Sequence, residues 1–178
     1  VLPSDTVYGI MARAADREAV ARLYRLKHRE HKPGTVIAAT IDQLVDLGLK
    51  RRYLTAVARY WPGPVSAVIP CGPALAYLDQ GVGGLAVRIP ADAALQNLLE
   101  QTGPLLTSSA NQPGEPAADT VADARAYFGN TVDFFIDGGD LSGREPSTVI
   151  RVVDDAVEIL RQGAVTIDPV TGAVHHDI

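Results

Sequence analysis

The stretch GPLLTSSANQPGEP (residues 103–116) decides how this chain folds. Just before it, residues 91–102 predict a helix with Leu95, Leu98 and Leu99 on one face, stopped by Gly103-Pro104. Leu105 and Leu106 then begin a strand in the manner of a buried one. That strand ends in Thr107, Ser108, Ser109 and Asn111, and Pro113-Gly114 set a turn. Helix, brief stop, apolar strand and polar strand end form the pattern of an α/β sheet, where ligand groups gather at the junction of strand and loop. The uncharged cluster therefore has two readings. It either caps the turn, or it forms a shelf for phosphate oxygens and metal-bound water without adding like charge.

Working outward, the same alternation continues. Asp16 as N-cap, with Val20, Leu23 and Tyr24 at helical spacing, predicts a helix over about 16–28. TVIAAT (35–40) is a short β-rich run, IDQLVDLGL (41–49) a helix ending near Gly48, and LTAVARYW (54–61) a helix stopped by Pro62-Gly63-Pro64. VSAVIP (65–70) and GLAVRIP (84–90) read as strands, TVADARAYFG (120–129) as a helix capped by Thr120, and VDFFID (132–137) as a strand. STVIRVV (147–153) and VEILRQG (157–163) flank Asp154-Asp155-Ala156 as a hairpin, and residues after Gly163 read as a peripheral tail. The expected fold is one α/β domain with a mixed sheet.

At 178 residues the chain is long enough to bury a sizeable core, and its 47% hydrophobic and 21% charged content is ordinary for a globular protein. The single Cys71 allows no internal disulfide and suits a reducing cytoplasm. No run approaches the roughly 18 apolar residues of a membrane span, and no signal peptide is visible. VLPSDTVYG reads as the end of a strand, so further chain is expected upstream of Val1. A net charge of −5 gives no support for a phosphate-binding basic face across the whole surface.

Positive charge is instead local. YRLKHREHK (24–32) holds Arg25, Lys27, Arg29 and Lys32, as either a solvated helix end or a site for a small polyanion. On a continuing helix Lys27 and Arg29 would point about 200° apart, so they converge only if the helix ends between them. Glu30 and the Lys32-Pro33-Gly34 turn make that break credible. Arg88 lies inside an apolar strand and needs an anion, from a structural salt bridge or a substrate carboxylate. Arg161 ends its strand in the same manner. His28 and His31 lack companion metal ligands and read as solvated, as do His175 and His176. No P-loop, dinucleotide fingerprint or nucleophile elbow is present, which leaves no nucleophilic hydrolase.

LPSDTVYGI, LKHRE, WPGPVSAVIP, GLAVRIP, TSSANQPG and PSTVIRV…ILRQG are each weak signals alone. In this order and spacing, from about residue 2 to 163, the chain resembles the YrdC-type (TsaC) proteins, the threonylcarbamoyl-AMP synthase family. The resemblance implies a twisted, mixed parallel and antiparallel sheet with flanking helices around a concave, positively lined cleft. It implies a catalytic domain over 1–163 in the short, single-domain form, with 164–178 as a tail. The activity it implies condenses L-threonine, bicarbonate and ATP into threonylcarbamoyl-AMP and pyrophosphate, with Mg²⁺ accompanying ATP. A downstream threonylcarbamoyl transferase (TsaD-type) then modifies tRNA, which this chain would meet only indirectly.

By resemblance, Lys27, Arg29, Ser109 and Asn111 hold the ATP phosphates as the catalytic set, and Lys32 matches a further phosphate-side position. Gly84, Ala117 and Arg161 match nucleotide-side positions. Thr6, Arg88, Thr107 and Ser147 match positions that hold L-threonine. No metal-ligand set belongs to the chain itself. Ser4 stands where the family usually has Thr, and Ile37 where longer relatives carry a threonine-contacting His. Two other functions remain open on sequence: an RNA-binding module in ribosome or tRNA maturation, and a carbamoyl-adenylate-forming domain.

Overall fold

The computed structural model describes residues 1–154 and 156–175. Strand β1 (Leu2–Pro3) and β2 (Tyr8–Arg13) precede helix α1 (Arg17–Leu26), followed by β3 (Thr35–Ile37), α2 (Ile41–Leu47) and α3 (Arg51–Val57). Next come β4 (Val65–Pro70), the short α4 (Ala76–Asp79), β5 (Gly84–Arg88), α5 (Ala93–Thr102) and β6 (Leu105–Ser109). The chain ends with α6 (Val121–Phe128), β7 (Thr148–Val153), β8 (Ala156–Arg161) and the small β9 (Thr166–Ile167) and β10 (Val174–His175). Eight strands form one sheet in the order β1-β2-β6-β3-β5-β4-β7-β8. The β3/β5 and β4/β7 pairs are parallel and the remaining pairs antiparallel, the mixed sheet expected from the alternation.

Register assigns each face of the sheet. Val36 pairs with Leu106 and Val87, and Ala67 pairs with Val87 and Ile150, so these side chains share one face. All are fully buried in the main core, together with Leu23 of α1, Leu54 of α3 and Phe128 of α6. The opposite face is covered at one end only. There Leu95 and Leu99 of α5 pack on Ile37, Leu105 and Leu2. Beyond that helix the same face carries Gly9, Thr35, Ala86, Arg88, Thr107 and Ser109, and it stays open.

Local sequence explains the boundaries. The Asp16 side chain accepts from the amides of Glu18 and Ala19, both at 3.0 Å, and starts α1. Gly48 ends α2 in the left-handed region at φ 120°. Thr120 and Asp123 form a reciprocal capping box at α6. Helix α3 begins at Arg51, three residues before the expected start, and finishes in a tight turn over Ala58–Tyr60.

Two expectations are overturned. Residues 132–137 form no strand: the backbone of the segment bonds to Val1, through Val1 N to Phe134 O (2.8 Å) and Ile136 N to Val1 O (2.9 Å), while the Asp133 carboxylate accepts from Arg22 at 2.9 Å. Phe134 and Ile136 are 60% and 42% exposed, so the β-rich composition met no neighbouring strand to pair with. The tail is also not peripheral at its start. Val165 and Ile167 are 1% exposed and belong to the main core, and the Thr148 hydroxyl donates to Val165 O at 2.5 Å. The hairpin at 147–163 is present, although Asp155 at its tip lies outside the described residues, as does His176.

Candidate active site

The open part of the sheet is the floor of a cavity of about 990 Å³. Thr107 and Ser109 stand on this floor. Ser108 alternates onto the packed face with Ile10, where its buried hydroxyl finds no partner among the described residues. A Cβ on Gly9 would lie 2.5 Å from Thr107 Oγ1, so a larger residue here would displace that hydroxyl. Gly34 is required, since its Cβ would lie 2.6 Å from the backbone oxygen of Thr107.

The basic segment breaks where convergence demands it. Helix α1 stops at Leu26, Lys27 is its C-cap, and His28 adopts φ 47°. That single left-handed residue sends Lys27 and Arg29 in different directions from what a helix would give. Lys27 is 3% exposed and reaches across to the end of β6. Its ammonium donates to Ser109 O at 2.8 Å, to Asn111 O at 2.6 Å, and to Asn111 Oδ1. Ser109 Oγ also donates to Asn111 Oδ1 at 2.8 Å, and Asn111 Nδ2 donates to Glu115 O at 2.6 Å. Burial, and then the nearby Arg29 charge, push the Lys27 pKa down to about 8. Arg29 turns into the cavity itself.

Arg88 settles its need for an anion within the protein. It is 3% exposed, and its Nη2 donates to Asp5 Oδ1 at 2.9 Å while Nη1 donates to Ser66 Oγ at 3.3 Å. Burial raises the Asp5 carboxyl pKa against the pull of Arg88, and burial also lowers that of Arg88. Desolvation thus outweighs the attraction on both sides, as for most fully buried ion pairs. Arg161 caps β8, donating through Nη2 to Ser147 O at 2.7 Å and to Ser147 Oγ at 3.1 Å. Burial and the charges of Arg88 and Arg29 all lower the pKa of Arg161. The Ser147 hydroxyl sits 2.9 Å from that of Ser66, and the Thr6 hydroxyl 3.1 Å from that of Ser4.

Among the expected residues, Arg29, Arg88 and Arg161 line the cavity, as do Thr6, Thr107, Ser109 and Ser147. Gly84 and Ala117 form part of its wall. Lys27 and Asn111 stand behind the Ser109 shelf rather than in the lining. The Lys32 side chain is exposed and outside it, although its backbone is held in place. Sequence reasoning missed Asp5, Ser66, Gln80 and Arg144. Arg144 lines the cavity and, like Arg29 and Arg161, has no carboxylate partner among the described residues. Arg151 also lines it but is paired with Glu158. The cavity therefore presents three uncompensated guanidiniums above a floor of hydroxyls, with Asp119 as the carboxylate in its lining.

The Sua5_yciO_yrdC family profile, described as "Telomere recombination", matches residues 1–163. The chain belongs to this family. A putative threonylcarbamoyl-AMP synthase of Mycobacterium leprae is 35% identical over 172 residues, covering 94% of this chain and 78% of that protein. The threonylcarbamoyl-AMP synthase of Bacillus subtilis is 32% identical over 184 residues, covering 98% of this chain and 53% of that protein. Among solved structures, P. abyssi Sua5 complexed with L-threonine superposes with a TM-score of 0.83 at 29% identity, over 98% of this chain and 54% of the other. This member of the Sua5/YciO/YrdC family thus spans most of one relative and about half of the longer ones.

Proposed function

We propose that the chain is a threonylcarbamoyl-AMP synthase, a nucleotidyltransferase that joins L-threonine, bicarbonate and ATP. The observation that carries this reading is the set Arg29, Arg144 and Arg161, without carboxylate partners among the described residues and facing one cavity with a hydroxyl floor. Guanidiniums without anions are costly to gather unless a polyanion completes them, and a triphosphate fits that need. The synthase names of the relatives supply the reaction.

In this reading the amine of threonine adds to CO₂ derived from bicarbonate, losing a proton to give a carbamate. A carbamate oxygen then attacks the α-phosphorus, and pyrophosphate leaves. The chain contributes mainly position and charge. Arg29 and Arg161 hold the phosphates, while the Lys27 ammonium behind the Ser109 shelf adds positive charge and, with Asn111, fixes the orientation of Ser109. Thr6, Thr107 and Ser147 offer hydroxyls to threonine, and Arg88, already tied to Asp5, gives its carboxylate a positive surround. No group of three or more His, Cys, Asp or Glu side chains placed to hold a metal occurs among the described residues; in this reading Mg²⁺ arrives hydrated on ATP. Bound there, near Ser109 and Asp119, Mg²⁺ would neutralise phosphate charge.

The product would pass to a TsaD-type transferase acting on tRNA. Work in the cytoplasm agrees with the lone Cys71, whose thiol pKa is pushed up to about 12 by burial and by Asp79. No helix among the described residues is long and apolar enough to cross a membrane. Pyrophosphate release from ATP, bicarbonate and Mg²⁺, assayed with each amino acid in turn, tests the reading. Release that requires L-threonine supports it, and release indifferent to the amino acid defeats it.

A further inference from the structure

We propose that Gln80 is a positioning residue that holds Arg29 in the cavity, an inference that rests on the nucleotide-binding reading above. Gln80 follows α4, and its side chain crosses to the basic loop. Its Oε1 accepts from the Lys32 amide at 2.8 Å, and its Nε2 donates to the Arg29 carbonyl at 2.8 Å. One amide thereby spans both ends of the Arg29–Lys32 segment. Among the described residues its other ties are Arg29 N to Tyr24 O at 3.2 Å and a long 3.4 Å contact from Arg29 Nη1 to Lys32 O. Left-handed His28 (φ 47°) precedes it and left-handed His31 (φ 52°) lies within it, both exposed.

The clamp is itself firmly mounted. Gln80 adopts φ 54°, a conformation that costs a non-glycine residue about 1 kcal/mol or more. Next to it the buried Asp79 carboxylate accepts from the amides of Gly81 and Gly83, both at 2.8 Å, and from the Cys71 thiol at 3.0 Å. Tyr24 ties the same region to the loop's far end, donating to Leu78 O while accepting from the Gly34 amide at 3.1 Å. Gly83 and Gly84 line the cavity from this turn, and Arg29 lines it from the loop. Gln80 therefore joins the nucleotide wall to the phosphate-side cation. Its left-handed backbone would favour glycine, and the amide is what a glycine would lack.

That contrast supplies the experiment. Gln80→Gly keeps the backbone conformation and removes the clamp. Three quantities are measured on the full chain: melting temperature, Kd for ATP and Kd for L-threonine, with amide exchange at Lys32 as a direct report of the lost acceptor. The expected result is an unchanged or raised melting temperature, faster Lys32 exchange, ATP binding weakened about tenfold, and threonine binding intact. Gln80→Glu keeps the acceptor for Lys32 but loses the donor to Arg29, so its exchange stays slow while ATP binding weakens. Wild-type ATP affinity in Gln80→Gly would overturn the proposal while leaving the synthase reading in place. Failure of the wild-type protein to bind ATP at all would remove both.

Discussion

The Lys27 ammonium lies 2.6 Å from the backbone oxygen of Asn111, joining the end of α1 to the turn after β6. The contact has |i−j| = 84, and a helix end and a strand end are fixed against each other by one buried charge. Removing that charge should therefore do more than subtract a phosphate ligand. Lys27→Ala is expected to leave the Ser109 and Asn111 carbonyls without a donor and to lower ATP affinity at least about a hundredfold. Retained ATP affinity, read by calorimetry on folded protein, would show that Lys27 serves structure alone.

The pH dependence follows from the same ammonium. Its folded pKa of about 8 lies below the usual 10.5, so the cost of burying the charge is fully present below about 8. Stability contributed at this site rises as pH climbs from about 8 toward 10.5, because the unfolded chain binds the extra proton there. ATP needs the charged form, so its affinity should fall over the same window. A Kd series from about pH 7 to 9.5 should bend near 8 in the native protein. With Lys27→Met it should run weak and flat.

Asn111→Asp places a carboxylate against Lys27 where an amide now sits. The new charge should raise the Lys27 pKa and repel a triphosphate, costing at least about tenfold in ATP affinity. Equal affinity in the variant would mean that the shelf does not face the phosphates.

Asp5 and Arg88 form a pair with side chains 7% and 4% exposed. Breaking it from one side leaves a buried guanidinium alone, so Asp5→Ala should lose about 3–5 kcal/mol in urea denaturation. The double variant Asp5→Ala/Arg88→Met should regain much of that stability yet fail to bind L-threonine. Threonine binding by the double variant would separate Arg88 from the amino-acid site.

Gly34→Ala tests how closely the basic loop must approach β6. Its Cβ would sit 2.6 Å from a backbone oxygen that cannot rotate away. A loss of about 1–3 kcal/mol is expected, with ATP affinity falling as Arg29 is displaced. An unchanged melting temperature would argue against the close approach.

Most of this architecture was legible where periodicity and caps agree. Asp16, Thr120 and Gly48 mark their helix ends by local chemistry, and the strands 65–70, 84–88 and 105–109 announce themselves by apolar runs bounded by turns. Residues 132–137 misled because β-rich composition says nothing about whether a partner strand is near. Val165 and Ile167 were missed because a short apolar pair in a tail broken by Asp168, Pro169 and Gly172 shows no period. In the candidate site, the break between Lys27 and Arg29 could be anticipated from helix geometry. Asp5 as the partner of Arg88, with |i−j| = 83, and Gln80 as the clamp on Arg29 could not, because tertiary contacts at such separations leave no local pattern.

The most direct test of the central claim is to supply ATP, Mg²⁺, L-threonine and ¹³C-bicarbonate and follow the adenylate product by mass spectrometry. The account predicts a threonylcarbamoyl-AMP carrying the ¹³C in its carbamoyl carbon, formed together with pyrophosphate and lost in Lys27→Ala. An adenylate that lacks threonine, or that draws its carbon from carbamoyl phosphate instead of bicarbonate, would contradict it.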